Sequence, residues 1–411
     1  VTKTQDINAK ETPMKAKLTA LSCMLAAAGL ASPLAMAQEK VKIGFVTDMS
    51  SLYADVEGKN AVTAMQMAID DFGGKVLGQP IELLSADHQN KADIAASKVR
   101  EWVDTQGISL VFSGTNSGTA LAVSQVANEK KRVHFNSGAG SSALTNEQCN
   151  AYTVHYAYDT VALAKGTGTA VVERGGKDWF FLTADYAFGH ALENDTTAVI
   201  KAKGGKVVGG VKHPLNASDF SSFLLQAQAS KAQILGLANA GGDTINAIKA
   251  AKEFGINKSM KTVGLLVFLT DIHSLGLKNT EGMQFTTSWY WDQNDATRKF
   301  GERFFAKTKR MPTSIQAADY SAVTSYLKAV QAVKSTDADK VMAYLKSTPI
   351  DDFYGKGSIR PDGTFAHDMY LVEVKKPAES KKPWDYLKVV ATLPADQVWT
   401  TKAETKCALW K

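Results

Sequence analysis

Apolar runs of strand length alternate with stretches of helical periodicity twice along this chain, and that alternation narrows the possible folds more than any other feature. The first round opens with Val41-Lys42-Ile43-Gly44-Phe45-Val46-Thr47. Val62, Met65, Ile69 and Phe72 then recur at helical spacing, and Gly73-Gly74 stops the helix. A strand over 81–86, a helix marked by Ala95, Val99, Trp102 and Val103, and a strand over 108–112 follow. Leu121 and Val126 belong to a third helix, and Val133-His134-Phe135 is a fourth strand. The second round starts at Trp179-Phe180-Phe181-Leu182. It runs through a helix over 187–203, a strand over 207–211, a helix over 220–229, a strand over 234–237, a helix over 245–254 and a strand over 263–269. Such alternation predicts parallel sheets covered on both faces, an α/β class. Gly73-Gly74-Lys75-Val76-Leu77-Gly78 is echoed by Gly204-Gly205-Lys206-Val207-Val208-Gly209, each between a helix and a strand. Helix stopping explains either copy locally, but their matching place in a repeated order predicts two similar lobes.

Beyond Asp292 the pattern turns helical, with Phe300, Phe304 and Phe305 on one face and Tyr320, Val323, Tyr326, Leu327 and Val330 on another. Pro361-Asp362-Gly363 is a turn signal. Strands over 369–374 and 386–390 then predict a closing hairpin, and Pro377, Pro383 and Pro394 argue against helix there.

Charge excludes some partners. The chain carries 47 Lys+Arg against 41 Asp+Glu, scattered without a basic block, so no nucleic acid is expected. Its three cysteines form no Cys-x-x-Cys pair, so neither zinc nor a disulfide-dense small fold is expected. The first residues read as an address. Met14-Lys15-Ala16-Lys17 is a basic start, 18–30 is apolar and alanine-rich, and Ala35-Met36-Ala37 suits a signal peptidase. The apolar run falls short of the ~20 residues of a membrane span. Residues 1–37 are therefore expected to be a signal peptide with an upstream extension over 1–13, cleaved after Ala37 on export. Cys149 and Cys407 would remain; in an oxidising compartment they predict one bridge, with two separate buried thiols as the alternative.

Catalytic motifs are missing. Gly114-Thr115-Asn116-Ser117-Gly118 is offset by one residue from a nucleophile elbow. No phosphate loop, dinucleotide spacing or His-Glu-x-x-His occurs. No enzyme activity, cofactor or metal is expected. The candidate chemistry lies in polar loops after strands, where open α/β sheets bind ligands. Asn116 and Ser117 precede a helix, and a hydroxyl with free amides at a helix start suits a carboxylate; a simple helix cap is the alternative for Ser117. Ser137-Gly138-Ala139-Gly140-Ser141 lets a ligand approach the backbone, or is a tight turn. Asp185-Tyr186-Ala187-Phe188-Gly189 follows the first strand of the second round, and Asn239 and Asp243 bracket the loop after its third. Ser288-Trp289-Tyr290-Trp291 is either a ligand-facing aromatic patch or interlobe packing.

These residues carry a resemblance. The opening Val41-Lys42-Ile43-Gly44-Phe45 with Ser50-Ser51, Gly138-Ala139 followed by Leu144-Thr145, Asp185-Tyr186-Ala187-Phe188-Gly189 and Asp219-Phe220-Ser221-Ser222 occur in order. Over roughly 39–409 the chain resembles the type I periplasmic substrate-binding proteins of ABC importers, notably the leucine/isoleucine/valine-binding group. Its Lys375-Lys376-Pro377-Ala378-Glu379-Ser380 is similar to a subgroup of extracellular ligand-binding receptors. The resemblance implies two Rossmann-like lobes joined by a three-stranded hinge, with 38–157 and 287–358 in the N-terminal lobe and 158–286 and 359–411 in the C-terminal lobe. It implies hinge closure on a small molecule and delivery to an inner-membrane permease. The family's carboxylate-binding serine falls on Ser117 and its backbone donors on Ala139 and Gly140, where amino-acid binders tend to carry threonine. Its aromatics fall on Phe188, with Tyr186 close by, and near Tyr53. Its acidic partner for a substrate ammonium falls near Leu266, which is apolar. The expected ligand is a small organic carboxylate, an aromatic one among the candidates, bound by Tyr53, Asn116, Ser117, Ala139, Gly140, Ser141, Tyr186, Phe188, Asn239 and Asp243. A branched-chain amino acid or small amide, with Asp243 replacing the missing acid, a ligand-binding sensor domain and an exported hydrolase are the alternatives.

Overall fold

In the first sheet the strand Val41–Thr47 lies between Gln79–Asp87 and Leu110–Ser113, and Val133–Asn136 and Thr153–His155 extend the row. These five run parallel; only the short edge strand Lys75–Val76 is antiparallel. The computed structural model describes residues 40–411, so the expected signal segment and its cleavage point lie outside the described residues. Register puts Phe45, Phe112 and Phe135 side by side. Their ring centroids are 5.8 and 6.1 Å apart, and Tyr156 continues the row at 5.8 Å. All four are fully buried. Aromatic rings bury 150–250 Å² each by the usual measure, so this row anchors the sheet to the helices beneath it.

The second sheet repeats the plan with Lys261–Gly264, Ile234–Ala238, Asp178–Ala184 and Lys206–His213 in that spatial order, all parallel. Its own core packs Phe180, Leu182, Leu235 and Leu237 against Leu224, Ala247 and Ile248 from two covering helices. The echoed glycines act alike. Gly73 has φ 92° and follows the helix Gly58–Asp71, while Gly204 has φ 74° and follows Ala187–Ala202. Both end a helix in the left-handed region that glycine adopts without strain. The expected two-lobed α/β fold is present.

One expectation changes, and two others take a fuller form. The strand expected over 263–269 ends at Gly264. The remaining apolar residues turn out of the sheet, and a helix begins at Leu269, where Asp271 accepts the Phe268 amide at 2.9 Å. Leu265, Leu266 and Phe268 are buried all the same, so hydrophobicity there marks a wall, not a strand. The closing hairpin exists, Met369–Val374 with Leu387–Leu393, but it pairs with Gln284–Thr287 into a three-stranded antiparallel sheet. A further small sheet joins Ile350–Asp351, Lys356–Ile359 and Phe365–His367. Trp289, Tyr290 and Trp291 serve packing. The Trp289 indole donates to the Phe353 carbonyl at 3.2 Å, and Tyr290 and Trp291 both donate to that of Trp384, at 3.2 and 2.9 Å. Among the described residues no helix is long and apolar enough to cross a membrane.

Cys149 and Cys407 form the expected disulfide, with Cα atoms 5.7 Å apart. It closes a loop across 258 positions and ties the chain's end to the segment after Thr145. Restricting the unfolded chain over such a loop is worth on the order of 2–5 kcal/mol. Replacing both cysteines by serine should lower the unfolding free energy by about that amount, measured by urea titration of oxidised protein against the double variant.

Candidate functional site

Both parallel sheets reverse strand order beside their first strand. Loops from neighbouring strand ends diverge there and leave a crevice, the place where open α/β sheets bind ligands. From the first sheet these are the loops at 48–53 and 114–117, joined by 137–141; from the second, 185–188 and 239–243. The crevices face each other and leave a narrow space of about 10 Å³ between them, closed down to about the room of one water.

The buried Asp48 carboxylate builds the first loop. It accepts the amides of Ser51 and Tyr53 at 2.9 and 2.8 Å and the Asn90 side-chain amide at 2.7 Å. Tyr53 is thereby held over the cleft, where its hydroxyl meets that of Tyr186 at 2.6 Å. Burial pushes both phenols above their ordinary range, with Tyr186 and Asp243 adding to the effect on Tyr53. Both remain protonated hydrogen-bond donors. Backbones also meet across the cleft, the Gly242 amide donating to the Leu52 carbonyl at 3.4 Å. A side-chain bridge lies beside it: Asp195, on the helix Ala187–Ala202, accepts from the hydroxyls of Ser142 and Thr160 at 2.9 and 2.6 Å.

Asn116 caps the helix Ser117–Glu129, its Oδ1 accepting the Thr119 amide at 3.1 Å. Its φ of 92° is unfavourable for a residue with a side chain and is sustained by the Asn90 carbonyl, which accepts from its Nδ2 at 3.1 Å. Because Asn116 takes the capping role, Ser117 is spared it. Ser117 Oγ accepts the Ser141 amide at 3.0 Å and keeps its own proton to donate. The first amides of that helix have no intrahelical acceptor and point from its positive end.

The glycine-rich loop folds over Asn136, which accepts the Ala139 amide at 3.2 Å and donates to its carbonyl at 2.7 Å. His155 also donates to that carbonyl, at 2.7 Å. Burial lowers this imidazole to about 4, so it is neutral at physiological pH. Ala139 thus spends its amide on Asn136 and is not free for the backbone-donor role expected of it. Ser141 Oγ accepts the Ala143 amide at 3.4 Å and caps a short turn.

Tyr53, Asn116, Ser117, Ala139, Gly140, Tyr186 and Phe188 line the cavity together. Ser141 stands just behind it. Asn239 and Asp243 are absent from the lining. Asn239 bonds His213 at 3.1 Å and accepts from Thr244 at 2.7 Å. Asp243 accepts the amides of Asn216 and Ala217, both at 3.0 Å. Burial raises Asp243 to about 6 against the opposing pull of those amides. Thr115, Tyr158, Ala240 and Phe268 complete the wall and were not expected from sequence. Tyr158 donates to the Gly138 carbonyl at 2.6 Å. It belongs to no turn or motif, and only its place after a strand too short to recognise could have marked it. Leu266 lines the wall as well, and no carboxylate does.

At Gly140 the loop packs directly against the rings of Phe188 and Tyr158. A Cβ there would lie 2.9 Å from Phe188 Cε2 and 3.0 Å from Tyr158 Cε2. Both rings are buried and cannot swing aside freely. Gly140→Ala should weaken ligand affinity at least about tenfold, or about 1.4 kcal/mol, with an unchanged far-UV circular dichroism spectrum; calorimetry checks the first and dichroism the second.

The family described as periplasmic binding protein matches residues 40–381. A crystal structure of a periplasmic binding protein from Burkholderia mallei is 68% identical, with a TM-score of 0.90, over 91% of this chain and 100% of that one. A branched chain amino acid ABC transporter periplasmic ligand-binding protein from Burkholderia xenovorans is 43% identical, with a TM-score of 0.81, over 90% of this chain and 100% of that one. The Leu/Ile/Val-binding protein homolog 6 of Brucella melitensis is 26% identical over 88% of this chain and 93% of its own length. With two α/β lobes facing each other across this cleft, the chain belongs to the periplasmic binding protein family, as a type I, Leu/Ile/Val-binding-like member of the ABC transporter substrate-binding class.

Proposed function

We propose that the protein binds a small organic carboxylate, aromatic by preference, between its lobes and delivers it to an ABC permease in the inner membrane. The observation that carries this reading is the composition of the wall. Ser117 has a hydroxyl proton to give, while Tyr53, Tyr158, Tyr186, Phe188 and Phe268 supply flat apolar surface. No carboxylate faces the cavity, so an α-ammonium group would be buried unpaired, which is costly. Asp243, the substitute acid in the amino-acid alternative, already accepts two backbone amides behind the wall. A Rhodopseudomonas palustris solute-binding protein in complex with 4-hydroxybenzoate shares the fold at 21% identity, with a TM-score of 0.79 over 88% of this chain and 98% of that one. At that identity the likeness concerns the fold, and the ligand class here is argued from this chain's residues.

In this reading residues 38–157 with 287–358 and residues 158–286 with 359–411 are the two moving bodies. The carboxylate docks on Ser117 and the helix start, and the ring slides between Tyr53, Tyr186 and Phe188. Closure then presents a changed surface to the permease. The protein serves transport after export and transforms nothing.

Calorimetry with benzoate, 4-hydroxybenzoate, leucine and a small aliphatic amide tests the ligand class. The aromatic acids should bind and leucine should not. Ser117→Ala should cost the acids about 1.5–3 kcal/mol, the worth of a hydrogen bond to a charged group. Tighter binding of leucine than of either acid would overturn the reading.

A further inference from the structure

We infer that Glu57 and Asp319, two buried acids that line no part of the cavity, are positioning residues that hold the ligand loops in place through a shared proton. Glu57 immediately precedes the helix Gly58–Asp71, and its side chain reaches under the ends of three strands. Its Oε2 accepts the Thr47 hydroxyl at 2.7 Å and the Thr115 amide at 2.5 Å. Its Oε1 lies 3.5 Å from the Ser137 hydroxyl. That hydroxyl bonds directly to Asp319 Oδ1, on the helix Ser314–Val333. Thr115 adjoins Asn116 and Ser117, and Ser137 adjoins Gly138, Ala139 and Gly140. One carboxyl therefore fastens both halves of the cradle that would hold the ligand's acid group. The fit leaves no slack: a Cβ on Gly138 would lie 2.6 Å from the Thr115 nitrogen and 2.9 Å from Glu57 Oε2.

Both acids are fully buried, and the second oxygen of Asp319 has no partner. The groups facing them are Thr47, Thr115, Ser137, the phenol of Tyr158 beside Glu57 and that of Tyr354 beside Asp319. Among the described residues no lysine, arginine or histidine pairs with either acid. Two carboxylates so placed cannot both ionise cheaply. Burial pushes Glu57 up to about 7, and burial together with Glu57 pushes Asp319 well up. The arrangement accounts for one proton. That proton is shared through the Ser137 hydroxyl between Glu57 Oε1 and Asp319 Oδ1. When it leaves to solvent, two like charges face each other across one hydroxyl. Glu57 is then driven away from the Thr115 amide, and both loops loosen.

The sign follows from linkage. The folded-state value near 7 lies above the ordinary value of 4.5, so this group's stabilising effect is complete below about 4.5 and is lost as pH rises through about 7. Buried Asp159 and Asp271, raised to about 7 and about 8 by burial, change global stability in the same direction. A whole-molecule melt cannot isolate the pair, so the test has to read the loops.

Hydrogen exchange of the ligand-free full chain does so, following segments 113–118 and 136–141 at pH of about 5.5 and about 8.5. Protection factors in both should fall at least about fivefold at the higher pH relative to the strand Val41–Thr47. Glu57→Gln and, independently, Asp319→Asn should remove that fall. A flat wild-type profile, or an unchanged fall in both variants, would overturn the inference; if one variant does not fold, the other decides. The consequence for binding rests on the carboxylate reading: benzoate affinity should weaken above pH of about 7 in the wild type and not in Glu57→Gln. Failure of benzoate to bind at any pH would count against the ligand reading alone, because the exchange result needs no ligand.

Discussion

A parallel sheet delivers the carboxyl ends of its strands to one edge, and where strand order reverses the outgoing loops part. In this chain that geometry occurs twice, beside Val41–Thr47 and beside Asp178–Ala184. What fills the two crevices is decided by short side chains at the strand ends. Asp48 and Asn116 spend their polar atoms on backbone amides of their own loops. Their cost is confined to one strained position, φ 92° at Asn116, and the return is a serine hydroxyl that keeps its own proton to donate at a helix start. The aromatic row from Phe45 to Tyr156 keeps the strand ends level, so the loops stand on a rigid floor.

Individually modest contacts cross the cleft, among them a phenol pair, a backbone bond of 3.4 Å, the hydroxyls around Asp195 and the Tyr158 bond to the Gly138 carbonyl. A typical net hydrogen bond is worth about 0.5–1.5 kcal/mol, so together they amount to a few kcal/mol before the ordering of side chains is counted. A ligand shifts such a balance only by its differential affinity for the closed form. The weakness of these contacts therefore suits a binding protein that has to open again. Burying the tyrosines keeps their protons in place, so closure does not compete with phenol ionisation near neutral pH.

Much of the fold is legible because strands buried on both faces are unbroken apolar runs and helices between them keep a helical period. Legibility fails where these signals part company. Residues 263–269 are apolar, but only the part to Gly264 pairs, since Asp271 starts a helix and turns Leu266 and Phe268 into the cleft. Strands of two to four residues, such as Thr153–His155 and Gln284–Thr287, offer too few side chains for any period to show. At the site, Ser117, Tyr186 and Phe188 follow strands that are plain in sequence. Tyr158 does not, because it follows one of the short ones. Asn239 and Asp243 sit at the right end of the right strand yet turn behind the wall, each drawn to a backbone or side-chain partner that no local pattern announces. Glu57 is hidden for a related reason: its partners lie at 47, 115, 137 and 319, so its role exists only in three dimensions.

The acids themselves distinguish the cradle from an ammonium site. A carboxylate meant for a cation would be left partly unsatisfied until the ligand arrives. Asp48 and Asp243 instead accept backbone amides, and Glu57 and Asp319 answer each other through Ser137, the unpartnered oxygen of Asp319 lying outside the cavity lining. Negative charge near the cleft is thus either neutralised by hydrogen bonds or suppressed by burial. The field left at the cleft is that of a helix start and hydroxyl protons, which favours an anion. Shape then narrows the choice. Gly140 lets Tyr158 and Phe188 approach to within contact of the loop, so the space between the walls is narrow and largely lined by rings. In the proposed reading an anion with a planar apolar body suits this wall, whereas a zwitterion would bring an ammonium group for which the wall offers no carboxylate.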